Sequence, residues 1–249
     1  NKTAIGQKIR EFFTADTNHS FIIADYSQIE LRVLAHLSKD KNMISLLKNR
    51  DADIHSETAA RIFSVDIDSV SKDMRRKAKE VNFGLIYGME SFGLSKSLNI
   101  SSKEATDLIN SYFNQFPKIK GYLDSIVKNA ENSTYTETLY GRKRFIRELA
   151  SSNFQLKAMG KRIAMNAPIQ GTASDIMKIS MIKLEEKIKR LKSTDIILQI
   201  HDEIIIQTPD NILDKTTKLV QKEMENAATL DVPLFVDINQ NKNLANFNN

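Results

Sequence analysis

The stretch Phe21-Ile22-Ile23-Ala24-Asp25-Tyr26-Ser27-Gln28-Ile29-Glu30-Leu31-Arg32 changes its period at a carboxylate. Its opening apolar run, bounded by polar residues, predicts a short buried strand that ends at Asp25. Over residues 28–37 the pattern turns helical, with Ile29, Val33 and Leu37 at four-residue steps. A second strand-rich region lies near the other end of the chain. There Ile196-Ile197-Leu198-Gln199-Ile200 and Ile204-Ile205-Ile206 flank His201-Asp202-Glu203, and two apolar runs joined by three polar residues predict a tight antiparallel hairpin. A helix over about residues 212–228 and a strand over residues 234–238 follow.

Between these ends the chain is mainly helical. Ser101 and Glu104 form a capping box before Ala105, Leu108, Ile109 and Tyr112, and Pro117 should break or restart that helix. Residues 134–146, around Tyr140-Gly141, read as a hairpin, and residues 153–166 and 173–191 as two long helices punctuated by Pro168. The order is strand, many helices, hairpin, helix, strand. That is an α+β class rather than an alternating βαβ one, and strands from both ends could share a sheet with the helical middle as an insertion.

Composition narrows the chemistry. A chain of 249 residues can bury a sizeable core without staples, and with no cysteine it has neither disulfides nor thiolate zinc sites. Any metal must be held by oxygen or imidazole. The net charge of +5 suits a polyanionic partner without demanding one. No apolar run approaches the ~20 residues that cross a bilayer, and residues 1–10 lack the apolar core of a signal peptide. The expectation is a soluble, unsecreted protein. Residues 239–249, rich in asparagine, read as a frayed tail.

Two sets of residues carry candidate chemistry. Asp25 and Asp202 each sit at a strand edge, where the fold could bring them together, and paired carboxylates coexist well around hard cations such as magnesium. Spacing alone is equally satisfied by two aspartates that simply end strands. Arg75, Lys79, Phe83 and Tyr87 recur at four-residue steps, which puts two cations and two aromatics on one helix face. Such a face could hold a triphosphate and stack a base or sugar, or be an ordinary amphipathic helix. Gly84 and Gly88 would each cost that helix about 1 kcal/mol relative to alanine, so close approach or bending is expected there.

Taken in order, residues 25–32, residues 75–88 and His201-Asp202-Glu203 resemble the three sequence motifs of the DNA polymerase I family. Asp53-Ile54-His55, Glu137-Thr138-Leu139-Tyr140-Gly141-Arg142 and Asn166-Ala167-Pro168-Ile169-Gln170-Gly171-Thr172-Ala173 reinforce the resemblance, which spans residues 2–237. It implies a right-hand polymerase palm, an antiparallel sheet with helices, into which helical fingers are inserted. The palm would take residues 1–37 and 151–249, the fingers residues 38–150, and the thumb would lie outside this chain. The implied activity is template-directed addition of deoxynucleotides to a primer 3′-hydroxyl.

By the same resemblance Asp25 and Asp202 hold two Mg2+ ions, Glu203 supports them, and Lys79 and Arg75 neutralise the triphosphate with His55 nearby. Phe83 stacks on the incoming nucleotide, Tyr87 occupies the templating position until closure, and Glu30 excludes a 2′-hydroxyl. Arg162, Asn166, Gln170 and His201 are implied to meet primer-template DNA, and Arg142, Lys143, Arg144 and Arg147 form a basic cluster suited to phosphate, though equally to a solvated face. Partners would be primer-template DNA, dNTPs and upstream thumb or exonuclease domains of a longer chain. The expected location is the bacterial cytoplasm or a DNA-containing organelle.

Lys2 stands where many relatives carry arginine, and the tail after Ile238 lacks the family's glycine and tryptophan. A phage-type RNA polymerase is the nearest rival, opposed by Glu30 and the Phe83 context. A metal phosphohydrolase using His201-Asp202 is opposed by strand-like flanks. A non-catalytic DNA-binding remnant is opposed by retention of every expected catalytic residue type.

Overall fold

A computed structural model describes residues 4–244 of the chain. They form two compact units: one ends at Ile29 and resumes over Ile176–Thr229 and from Leu234, the other takes Glu30–Asp175 and Leu230–Pro233. None of the described helices is long and apolar enough to cross a membrane.

The first unit opens with α1 (Ala4–Glu11) and β1 (His19–Tyr26). With β4 (Asp195–Ile200), β5 (Glu203–Pro209) and β6 (Val236–Asn241), β1 makes an antiparallel sheet of order β4-β5-β1-β6. Phe21, Ile22, Ile23 and Ala24 are all buried, as an apolar run without alternation requires of a strand covered on both faces. β4 is an exposed edge. The helix α10 (Leu213–Glu225) packs on β1 and β6, burying Thr216, Val220 and Met224 at four-residue steps. Tyr26 ties the layers from beneath. Its hydroxyl lies 2.5 Å from Oγ of Ser180 and donates to the Met224 carbonyl at 2.7 Å.

Here the tail expectation fails in part. Asn239, Gln240 and Asn241 pair with Ile23, Ile22 and Phe21 in β6, because a ladder is built from main-chain groups and needs no apolar side chains. Leu244 is buried as well, and residues 245–249 lie outside the described residues.

In the second unit α2 (Ile29–Ser38), which starts in the first unit, buries Leu31, Val33, Leu34 and Ala35. Then come α3 (Lys41–Leu46), α4 (Ile54–Phe63), α5 (Lys72–Ile86), α6 (Ser91–Leu98), α7 (Ser102–Gln115) and α8 (Pro117–Ser133). Side-chain caps start four of them: Asp40, Asp53, Ser71 and Ser101 each accept from backbone N–H groups of the first turn. Ser101 accepts from the Glu104 amide at 3.1 Å, and Pro117 restarts the chain at the first position of α8. β2 (Tyr135–Glu137) and β3 (Lys143–Phe145) form the small hairpin.

The two helices expected on either side of Pro168 are one, α9 (Phe154–Ile188), which runs from the second unit into the first. An internal proline costs a helix about 3 kcal/mol. Here Ala164, Ile169, Thr172, Ala173 and Ile176 around it are all buried, and that packing outweighs the break.

Candidate active-site residues

The register of the sheet brings carboxylates together in the first unit. Asp25 is the cross-strand partner of Glu203 on one side and of Asp237 on the other, so the three side chains share one face. The hairpin between β4 and β5 is tighter than its three polar residues suggest: Ile200 pairs with Glu203, leaving His201 and Asp202 as the turn. His201 holds φ 54°, a left-handed conformation that is costly for a residue with a side chain. The Tyr26 amide donates to the Asp202 carbonyl at 3.1 Å, which anchors that turn beside the end of β1.

Like charges opposite one another destabilise a sheet. Burial, then Glu203, Asp202 and Asp237, push the Asp25 carboxyl up to about 6. Burial raises Asp202 and Glu203 as well. No group of three or more Asp, Glu or His side chains among the described residues is arranged to hold an ion by itself. Few carboxylates completed by substrate oxygens is how magnesium is usually bound, and these hard oxygen donors fit it.

The second unit carries the other residues. Arg75, Lys79 and Phe83 lie on α5, and Tyr87 is its C-cap rather than part of it. Gly88 then takes φ +67°, and Met89 donates back to the Gly84 carbonyl at 2.8 Å, a left-handed helix stop. A Cβ at Gly88 would also meet Cγ of Arg162 at 2.9 Å, so the close approach expected there is present.

Each side chain on this face has a distinct state. Arg75 is engaged by the α4 cap, its Nε 2.5 Å from Oδ2 of Asp53, and hydrogen bonds from Arg75 and Ser56 outweigh burial to hold Asp53 down at about 2. Lys79 is exposed. His55 is 3% exposed, and its ring centroid lies 5.5 Å from that of Phe83. Burial, assisted by Lys79 and Arg75, lowers its pKa to about 4, so it is neutral at pH 7. Tyr87 donates its hydroxyl to Oε2 of Glu30 at 3.0 Å.

On α9, Arg162, Asn166 and Gln170 fall at four-residue steps on one face. The basic hairpin is divided. Arg142 is tied to α9 through Asp175 at 2.7 Å and the Gly171 carbonyl at 2.9 Å. Lys143 sits 4.3 Å from the Tyr135 ring centroid, while Arg144 and Arg147 are exposed. Lys2 lies outside the described residues.

Two participants were missed in the sequence. Asp237 required knowing the β1–β6 register, which no local pattern prints. Asn82 left a fainter signal, a polar residue among Ala78, Val81, Leu85 and Ile86 on the buried side of α5.

The first unit is an antiparallel sheet with neighbouring carboxylates and the second is helical with a cationic and aromatic face on α5, the mixture that a polymerase palm and fingers have. The chain belongs to DNA polymerase family A, which it matches over residues 1–246. It is 50% identical over 240 residues to DNA polymerase I of Caldicellulosiruptor bescii, covering 96% of this chain and 28% of that protein. With DNA polymerase I of Bacillus subtilis it shares 47% identity over 235 residues, 93% of this chain and 26% of the relative. Among solved structures it resembles the POL domain of Pol1 from M. smegmatis in complex with DNA primer-template and dNTP, with TM-score 0.93 and 39% identity over 98% of this chain and 43% of that one. The chain thus spans just over a quarter of the length of these curated relatives.

Proposed function

We propose that this chain is the palm and fingers portion of a longer polymerase that copies a DNA template, adding deoxynucleotides from dNTPs to a primer 3′-hydroxyl. The observation that carries the reading is the cross-strand placement of Asp25 between Glu203 and Asp237, with Asp202 anchored alongside. A set of partly buried carboxylates that raises the pKa of Asp25 has a use where cations and phosphates arrive together. Asp25 and Asp202 would hold two Mg2+ ions, with Glu203 supporting them. When bound, the ions would polarise the triphosphate and lower the pKa of the primer hydroxyl.

The other residues bind and select. Lys79, and Arg75 when released from Asp53, would neutralise triphosphate oxygens, and neutral His55 would add a directed hydrogen bond. Phe83 would lie against the incoming nucleotide. Glu30, held by Tyr87, would crowd the 2′ position, and Tyr87 itself would fill the templating position before nucleotide entry. Arg162, Asn166, Gln170 and His201 would touch the minor groove of primer-template DNA, where pair geometry can be tested without reading sequence. Arg144, with Arg142 as the anchor of its hairpin, would meet backbone phosphate. Thumb and any exonuclease domains would belong to the longer chain, and the enzyme would work in the bacterial cytoplasm or a DNA-containing organelle.

The test is primer extension by the polymerase carrying this chain, with dNTPs or rNTPs, with and without magnesium. Template-matched extension with dNTPs and magnesium only is expected. Equal use of rNTPs, or extension in chelator, would contradict the reading.

A further inference from the structure

Between α4 and α5 lies a polar network of which the triphosphate reading uses only His55. Asn82 is fully buried, as is Thr58, and His55 is nearly so. Nδ2 of Asn82 lies 3.2 Å from Nδ1 of His55 and 3.2 Å from Oγ1 of Thr58. The Thr58 hydroxyl in turn donates to the Ile54 carbonyl at 2.7 Å.

These contacts fix the protons in sequence. A hydroxyl has one proton, and that of Thr58 is committed to Ile54, so toward Asn82 it can only accept. The Asn82 amide must therefore present its NH2 group, because a carbonyl oxygen turned that way would face a lone pair. The second hydrogen of the same NH2 points to Nδ1 of His55, which must then be the unprotonated ring nitrogen. A neutral imidazole in that state carries its proton on Nε2. Nε2 of His55 is buried and has no hydrogen-bond partner among the described residues.

We propose that Asn82 and Thr58 are positioning residues that hold His55 as its neutral Nε2–H tautomer, so that the ring offers the incoming triphosphate a donor and not a lone pair. The inference rests on the triphosphate role of His55 proposed above. With the other tautomer, Nε2 would present a lone pair to an anion and repel it. The network removes that alternative before the nucleotide arrives, and the donor it leaves unpaired is satisfied only when a phosphate oxygen reaches it. Asn82 adds no charge in doing so. Lys79 and Arg75 supply the charge, and His55 supplies direction.

The experiment uses the polymerase that carries this chain. In protein with ring-15N histidine, the His55 nitrogen shifts at neutral pH should report a proton on Nε2, and a proton on Nδ1 overturns the inference without any variant having to fold. In steady-state extension, Asn82→Leu should raise KM for dNTP by about 10-fold, the effect of one lost charge-assisted hydrogen bond, with primer-template affinity unchanged. Thr58→Val, which keeps the volume, should move KM in the same direction by freeing the amide to turn. In a His55→Ala background, Asn82→Leu should add nothing further. A full additional loss there would make Asn82 merely structural and overturn the proposal. Unchanged KM in His55→Ala itself would overturn both the triphosphate contact and this inference, whereas a proton on Nδ1 beside a raised KM would overturn this inference alone.

Discussion

Asp25, Asp202 and Glu203 are partly buried and His55, Thr58 and Asn82 are buried, but the two regions are balanced in opposite ways. In the sheet, burial and then Glu203, Asp202 and Asp237 raise the pKa of Asp25, and no cationic side chain is among the influences on it. Between α4 and α5 the polar atoms largely answer one another: Arg75 with Asp53, Asn82 with His55 and Thr58. The first region is incomplete without a counter-charge. The second leaves the Nε2 donor of His55 for an anion, and the Oδ1 acceptor of Asn82 without a partner among the described residues.

Breaking the sheet region should have the largest effect, and in two directions at once. Asp25→Asn should lower incorporation by about 1,000-fold or more, since the amide removes charge that metal binding needs. The same change should stabilise the fold. The Asp25 pKa is raised from 3.8 to about 6, so the folded protein holds this proton more tightly than the unfolded chain does, and stability falls as pH rises between those values. At pH 7.5 in chelator the variant should gain about 1–2 kcal/mol, discounted for partial exposure, and the gain should vanish near pH 4. Denaturant midpoints at the two pH values check this; a loss of stability at pH 7.5 would mean the carboxylates are compensated after all.

The helix face should respond more gently and unequally. Lys79→Ala should reduce kcat/KM for dNTP by roughly 10–100-fold, as expected for lost contacts to a charged group, with little change in duplex affinity. Arg75→Ala should cost less, because Asp53 already holds that guanidinium. Asp53→Asn would sharpen the comparison by releasing it. Equal loss of duplex affinity in either alanine variant, read by DNA titration, would place this helix on the DNA instead.

Smallest in rate, though visible in selectivity, are the sugar contacts. Glu30→Ala should admit ribonucleotides, and Tyr87→Phe should do so more weakly by removing the hydroxyl that holds Glu30. Phe83→Tyr should raise dideoxynucleotide use instead, because a phenolic hydroxyl can replace the polar contact that a nucleotide without its 3′-hydroxyl has lost. Competitive primer extension separates them. Ribonucleotide entry caused by Phe83→Tyr would show the sugar misplaced against this helix.

Much of the fold was legible because its signals are local. The apolar run before Asp25, the cap at Ser101, the helix start at Pro117 and the two hairpins each depend on a few neighbouring residues. What was not legible is long-range. Pro168 reads as a break until the buried neighbours of α9 are known, and Asn239-Gln240-Asn241 reads as a tail until β1 is there to pair with it. The candidate site divides the same way: motif resemblance reached Asp25, Asp202 and the α5 face. Asp237 depends on strand register and Asn82 on which side chains α4 presents to it, so neither could be read from its own neighbourhood.

The most direct test of the central claim is a single comparison of Asp202→Asn with the unmodified polymerase, measuring primer-template affinity and nucleotide incorporation in the same magnesium buffer. Retained affinity with incorporation lost is the predicted result. Normal extension by Asp202→Asn would contradict the assignment of these carboxylates to the metals and, with it, the proposed mechanism.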